Sequence, residues 1–219
     1  MNIKAIIAST GLLFSIGVNA DSSPVAIIED IDAVNAKVSF MDYVNKGQVI
    51  ELGKSGKLVL GYLDSCRRET ITGGTVTIGK LQSNVNKGQL LREDVECDGG
   101  NANLSGQQAA TSGALAFRGA AKPDKVGVRK PDLTIYGTAP VVRVQQSNAE
   151  ITIERMDKRS KQHSYQMKGK HIDLADEKLS LPLGGTYKIA VKGGKSKTFK
   201  VDKYAEMGKI SIVSRLIDL

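Results

Sequence analysis

The stretch "KLVLGYLDSCRRETITGGTVTIG", Lys57–Gly79, decides the fold. Leu58, Leu60 and Tyr62 alternate with Val59, Gly61 and Leu63, so a strand through them is apolar on both faces. Such a strand belongs inside a sandwich or barrel, because a sheet edge or a solvated face would carry polar residues at every second position. Downstream, "RRETI" and "TVTI" flank Gly73-Gly74, a hairpin-turn signal because glycine accepts positive φ without steric cost. Glu69 and Ile71, then Val76 and Ile78, keep the two-residue period that turns aliphatic side chains inward. The reading is strand, turn, strand, with Cys66 near the start of the hairpin.

The same texture continues outward. "VAIIE" (Val25–Glu29), "KVSFM" (Lys37–Met41) and "QVIEL" (Gln48–Leu52) are short strand-like runs, the last joined to Lys57 by Gly53-Lys54-Ser55-Gly56. "VNKGQ" occurs at Val44–Gln48 and again at Val85–Gln89, each time before a strand-like run, as turn chemistry at equivalent positions or as coincidence. Tryptophan is absent and aromatic residues make up 5%, so the cores must be aliphatic. No long helical period is present, which predicts an all-β chain. Small polar residues dominate Asp98–Pro131, apart from an apolar island at Ala114–Phe117 expected to return to the first domain as a short strand. Beyond it "LTIYG", "PVVRV", "EITIERM", "HSYQMKG" and a hairpin over Gly185–Val201 form a second strand series. The expected organisation is a first β domain at 21–119, a linker at 120–131, a second β domain at 132–203 and an apolar tail at 204–219 that packs back or docks on a partner. In the tail, Ile210 and Ile212 fit a strand, whereas Ile212, Leu216 and Leu219 fit a helical stripe.

The N-terminus bears on the cysteines. Lys4, an uncharged apolar run from Ala5 to Val18, and Val18-Asn19-Ala20 make the pattern of a secretory signal at 1–20, cleaved after Ala20. Export to the periplasm places Cys66 and Cys97 in an oxidising compartment, where two cysteines read most simply as one disulfide. Closing that loop is worth ~3.5 kcal/mol by chain entropy. The two cysteines do not form a Cys-x-x-Cys redox pair, and His163 and His171 lie far along the chain, so no metal or cofactor is expected.

The run "VNKGQVIELGKSGKLVLGYLDSCRRETITGGTVTIG" resembles the periplasmic domain of the ferric-citrate regulator (FecR) family. Gly47, Gly53, the strand at Lys57–Leu63 and Asp64-Ser65 stand where that pattern has its turns and its aliphatic strand, over roughly 33–80. The cysteine pair is not part of the pattern. The resemblance implies a small, twisted β-sandwich or barrel used for recognition in the envelope. "LPLGGTYKIAV" is similar to the late strands of immunoglobulin-like sandwiches, where a tyrosine hydrogen-bonds back across the corner, which suggests that role for Tyr187.

Charge is split along the chain. Nine Lys/Arg face twelve Asp/Glu between 21 and 110, net −3, and twenty-one face eleven from 111 to 219, net +10. Lys158, Arg159, Lys161, Lys168 and Lys170, with Lys192, Lys195, Lys197 and Lys200 on the last hairpin, form the candidate basic surface if they share a side. Lysine on strands also protects sheet edges from aggregation, an equally available reading. Nucleophile elbows, phosphate loops and metal-binding helix motifs are absent. The expectation is a non-enzymatic envelope protein that binds a membrane sensor or scaffold, possessing no catalytic residues and no nucleic-acid partner. An anionic lipid or glycan ligand is the alternative, and an envelope hydrolase with an unrecognised site comes third.

Overall fold

The computed structural model describes residues 23–34, 36–99 and 130–219. The expected signal segment, the apolar island at Ala114–Phe117 and residues 120–129 of the expected linker lie outside the described residues. The described chain is all-β, with fourteen strands and no helix.

Six strands form the N-terminal sheet: β1 (Ala26–Asp32), β2 (Tyr43–Val44), β3 (Val49–Tyr62), β4 (Arg67–Thr77), β5 (Asn84–Asn86) and β6 (Gln89–Asp94). They run in the order β2-β1-β3-β4-β5, with β6 also on β4. Two expected turns are corrected. Gly53–Gly56 and Gly73-Gly74 do not reverse the chain; they lie inside β3 and β4, where Gly53 pairs with Gly74 across a double register shift. Positive-φ glycines serve a bulge as well as a turn. Placed opposite each other, with φ +69° at Gly53 and +79° at Gly74, they bend both strands while the ladder continues. The hairpin turns instead at 63–66, between the Gly61–Arg68 pair. "KVSFM" is a turn, not a strand: Asp42 accepts the Ser39 N–H at 2.7 Å and Met41 takes φ +67°. Both VNKGQ copies connect a short strand to a longer one, but the left-handed residue is Gly47 in the first and Lys87 in the second.

Both faces of β3 are buried, as the alternation requires. Leu58, Leu60 and Tyr62 join Ala26, Ile28, Ile71 and Val76 in the N-terminal core. Leu63, with Ile27 of β1, faces the other way and packs on Val141, Ile212, Val213 and Leu216. Each fully buried aliphatic side chain contributes about 1.5–3 kcal/mol. A charged cluster closes the N-terminal core near Tyr62. Glu69, fully buried, accepts Arg92 Nε at 2.7 Å and the Ser83 N–H, while Tyr62 Oη and Ser83 Oγ are 2.9 Å apart. Burial pushes the Tyr62 phenol up to about 12.

The C-terminal strands form a sandwich. One sheet has the order β10 (His163–Gln166), β9 (Glu150–Arg155), β12 (Thr186–Val191), β13 (Ser196–Glu206), β7 (Leu133–Gly137). The other is β11 (His171–Asp173), β8 (Val141–Arg143), β14 (Leu216–Asp218). Ile151, Ile189, Phe199 and Val201 from the first meet Val142, Leu174 and Ile217 in one core. Tyr187 Oη donates to the Pro182 carbonyl at 3.2 Å, the corner bond suggested by its sequence context.

The tail is a turn followed by a strand. β13 runs on to Glu206, past the expected boundary at 204, because after a bulge Glu206 still pairs with Gly137. The chain then turns at 211–214, and β14 pairs parallel with β8. Arg215, fully buried, grips Asp173 in a two-pronged pair at 2.6 and 2.8 Å and donates to the Ile210 and Ala139 carbonyls. Burial works to raise the Asp173 carboxyl, but the Arg215 hydrogen bonds outweigh it and hold the group below its usual range.

The same tail joins the two halves. Glu29, on the β1 face opposite the N-terminal core, accepts Ser211 Oγ at 2.6 Å, the Val213 N–H at 2.9 Å and Arg68 Nε at 3.0 Å. Tyr43 donates to Asp218 at 3.1 Å, and the Arg143 guanidinium lies 4.3 Å from its ring centroid. Phe40 meets His171 edge-on at 5.3 Å.

Candidate functional site

Cys66 and Cys97 form a disulfide with Cα atoms 5.4 Å apart. It ties the β3–β4 turn to the segment just beyond β6, where Val95 N–H also donates to the Cys66 carbonyl at 2.8 Å. Cys97 and Val95 pack against the core that joins the two halves. The bond therefore anchors one wall of the junction, and both sulfurs are consumed by it.

The nine candidate cations do not share one face. Lys158, Arg159 and Lys161 lie in the β9–β10 connection, beyond Arg155 at one end of the sheet. Lys168 and Lys170 follow β10, and Lys192 and Lys195 sit in the β12–β13 turn, all at the opposite end beside Glu150. The six-residue β9 separates these ends by about 20 Å, well beyond the ~8 Å screening length at physiological salt. Lys192 is paired with Glu150 at 2.7 Å. Lys197 has the inward parity of Phe199 and Val201, and burial lowers its pKa despite Asp218 and Asp132. Lys200 points to the outer face opposite Thr186. The outer face also carries Lys188, which the sequence reading passed over, set between Glu154 and Thr198. At the Lys192 end, a groove of about 180 Å³ is lined by Gln145, Ala149, Val191 and the turn from Lys192 to Lys195.

A larger concavity opens at the junction. Asp94 and Glu96 from the N-terminal half, Tyr136, Asp202, Tyr204 and Glu206 from the sandwich, and Ile210 and Ser211 from the tail line a cleft of about 600 Å³. Its carboxylates are placed by alternation on one wall and by a bulge on the other. Val95 and Cys97 turn into the junction core, so Asp94 and Glu96 between and before them turn out. On the facing wall, the β13 bulge after Val201 keeps Ala205 buried and swings Lys203, Tyr204 and Glu206 outward, with Tyr204 N–H held by Asp202 Oδ1 at 2.8 Å. The Tyr136 phenol is pushed up, first by burial and then by the charges of Asp98, Asp202 and Glu96.

Beside the cleft, and sharing Tyr204 and Glu206 with it, lies a shelf formed by Thr138, Ser180–Leu183 and Tyr204–Met207, about 610 Å³ in volume. Leu183 is 52% exposed, Tyr204 78% and Met207 80%, three large apolar side chains brought together from the loop before β12 and the end of β13. The Lys203 ammonium lies 4.5 Å from the Tyr204 ring centroid, so that ring already presents its face to a cation. "DVECD", which alternates carboxylates with packed residues, and "DKYAE", with carboxylates at both ends, are the sequence signals for the two walls. Their juxtaposition depends on residues about a hundred positions apart.

The arrangement suits binding by charge and apolar contact. Among the described residues, no group of three or more His, Cys, Asp or Glu side chains is placed to hold a metal ion. His163 lies across from Ile153 in β10, and His171 packs on Phe40. No helix among the described residues is long and apolar enough to cross a membrane. No family model matches the chain, and neither a curated protein nor a solved structure matches it.

Proposed function

We propose that this chain is an exported, non-enzymatic binding or scaffolding protein of the bacterial envelope, whose recognition surface is the junction between its two halves. The observation that carries this reading is the shelf: Leu183, Tyr204 and Met207 stand exposed together beside the inter-half cleft. Grouped apolar exposure of this kind marks interaction sites, whereas scattered apolar side chains need no explanation. The tail core and the Glu29 latch support a rigid platform, which lowers the ordering cost of binding. The disulfide fits an oxidising compartment and so supports the periplasmic placement. A membrane-bound sensor or scaffold is the partner this reading names.

The second reading, attachment to an anionic lipid or glycan, draws on the groove at Lys192–Lys195 with Lys168 and Lys170 at the same end. Affinity capture from cross-linked envelopes separates the two. The junction reading expects one dominant membrane protein, retained by the wild type and by Lys192→Glu/Lys195→Glu but lost from Tyr204→Ala/Met207→Ala. Lipid or glycan alone, eluting with salt and lost only from the lysine variant, would move the function to the basic end.

A further inference from the structure

We infer that the junction takes an extended, cationic peptide segment of its partner, one that alternates Lys or Arg with apolar residues. This deepens the proposed function and rests on it. The argument is charge complementarity across a two-part surface. Asp94 and Glu96 line the cleft from one half, and Asp202 and Glu206 line it from the other. Asp94 is partly satisfied by Arg67 at 3.2 Å, and Asp202 by the Tyr204 N–H. Glu96 and Glu206 have no salt-bridge partner among the described residues. Against four carboxylates the cleft lining carries one cation, Lys203, so a cationic segment crossing here would meet a net negative surface.

The apolar half supplies what a pure acidic patch lacks. Tyr204 borders both cavities, so its ring can lie under a Lys or Arg while the neighbouring apolar residue of the segment settles on Leu183 and Met207. Methionine and tyrosine are suited to this: one conforms to varied side chains, and the other offers a rigid face at low entropy cost. The same carboxylates repel phosphates and acidic glycans, which confines the anionic-ligand reading to the other end of the sandwich.

The test uses the mature full chain and two labelled nonapeptides followed by fluorescence anisotropy. One is Gly-Arg-Leu-Lys-Val-Arg-Leu-Lys-Gly, and the other carries Glu at every Arg and Lys. The cationic peptide is expected to bind at least about tenfold tighter than the anionic one. Glu96→Lys/Glu206→Lys should remove that preference, and Tyr204→Ala/Met207→Ala should weaken binding at high and low salt alike. Lys192→Glu/Lys195→Glu should change nothing. Unchanged thermal melting of each variant shows that the exposed substitutions leave the fold intact. Equal binding of the two peptides, or a preference that survives Glu96→Lys/Glu206→Lys, overturns the inference. So does sedimentation velocity showing that the cleft is filled by a second copy of the chain. If envelope capture at Tyr204 and Met207 succeeds while the cationic peptide fails, the partner's chemistry is wrong and the binding surface stands.

Discussion

The two halves close their cores by different means. The N-terminal half bends one sheet, using opposed glycines in β3 and β4 so that Leu58, Ile71 and Val76 enclose a common interior. The sandwich instead sets two sheets face to face, and its smaller sheet is finished only by β14, a strand from beyond both walls of the junction. The first half is fixed by local backbone geometry and a covalent tie. The second is fixed by a distant segment and a buried ion pair. That difference teaches where each should fail.

Arg215→Ala should be the most damaging. It leaves Asp173 and two carbonyls without their donor inside the protein, a loss of about 3–5 kcal/mol. Urea unfolding followed with probes in each half should show the sandwich melting first; simultaneous loss would mean the halves behave as one cooperative unit. Next comes Cys66→Ala/Cys97→Ala, expected to cost about 2–4 kcal/mol, with β6 and the Glu96 wall losing hydrogen-exchange protection before the sandwich does. If the sandwich loosens equally, the disulfide supports the whole molecule.

Gly61→Ala probes the junction itself. An added Cβ would come 2.6 Å from Glu29 Oε1 and 3.0 Å from Val213 Cβ, so the overpacking cost of about 1–3 kcal/mol falls on the contact between halves. Small-angle scattering should show a wider distribution of shapes, and an unchanged profile would mean that the joint absorbs a methyl group. Tyr187→Phe is the mildest, about 1 kcal/mol for a single neutral hydrogen bond. Its ring still stacks on Phe199 at 5.4 Å, so a larger loss in thermal melting would assign the corner a role beyond that bond.

The strands and the disulfide were legible because they depend on near neighbours. The alternation at Leu58–Leu63 specified burial of both faces, although it could not say that one face meets the tail. The Gly73-Gly74 pair was misread because a turn and a bulge ask for the same φ, and only the partner strand distinguishes them. Arg215 is a charged residue within an apolar tail, and its burial depends on Asp173, 42 positions earlier. The cleft escaped notice for the same reason. Each wall is a short stretch carrying two carboxylates, and nothing local in either announces the other.

The Glu29 latch has a kinetic side. Its donors Ser211 and Val213 are 182 and 184 positions downstream, so a chain emerging from its N-terminus forms this contact after both halves are available. Contacts of such separation slow folding, because loop closure must precede any gain from them. Until then the early half presents Ile27, Met41 and Leu63 beside an unlatched carboxylate, the sticky surface on which misassembly begins. A holding chaperone that covers that surface should therefore raise the yield of the whole protein more than that of a variant whose Ile27 and Leu63 are made polar.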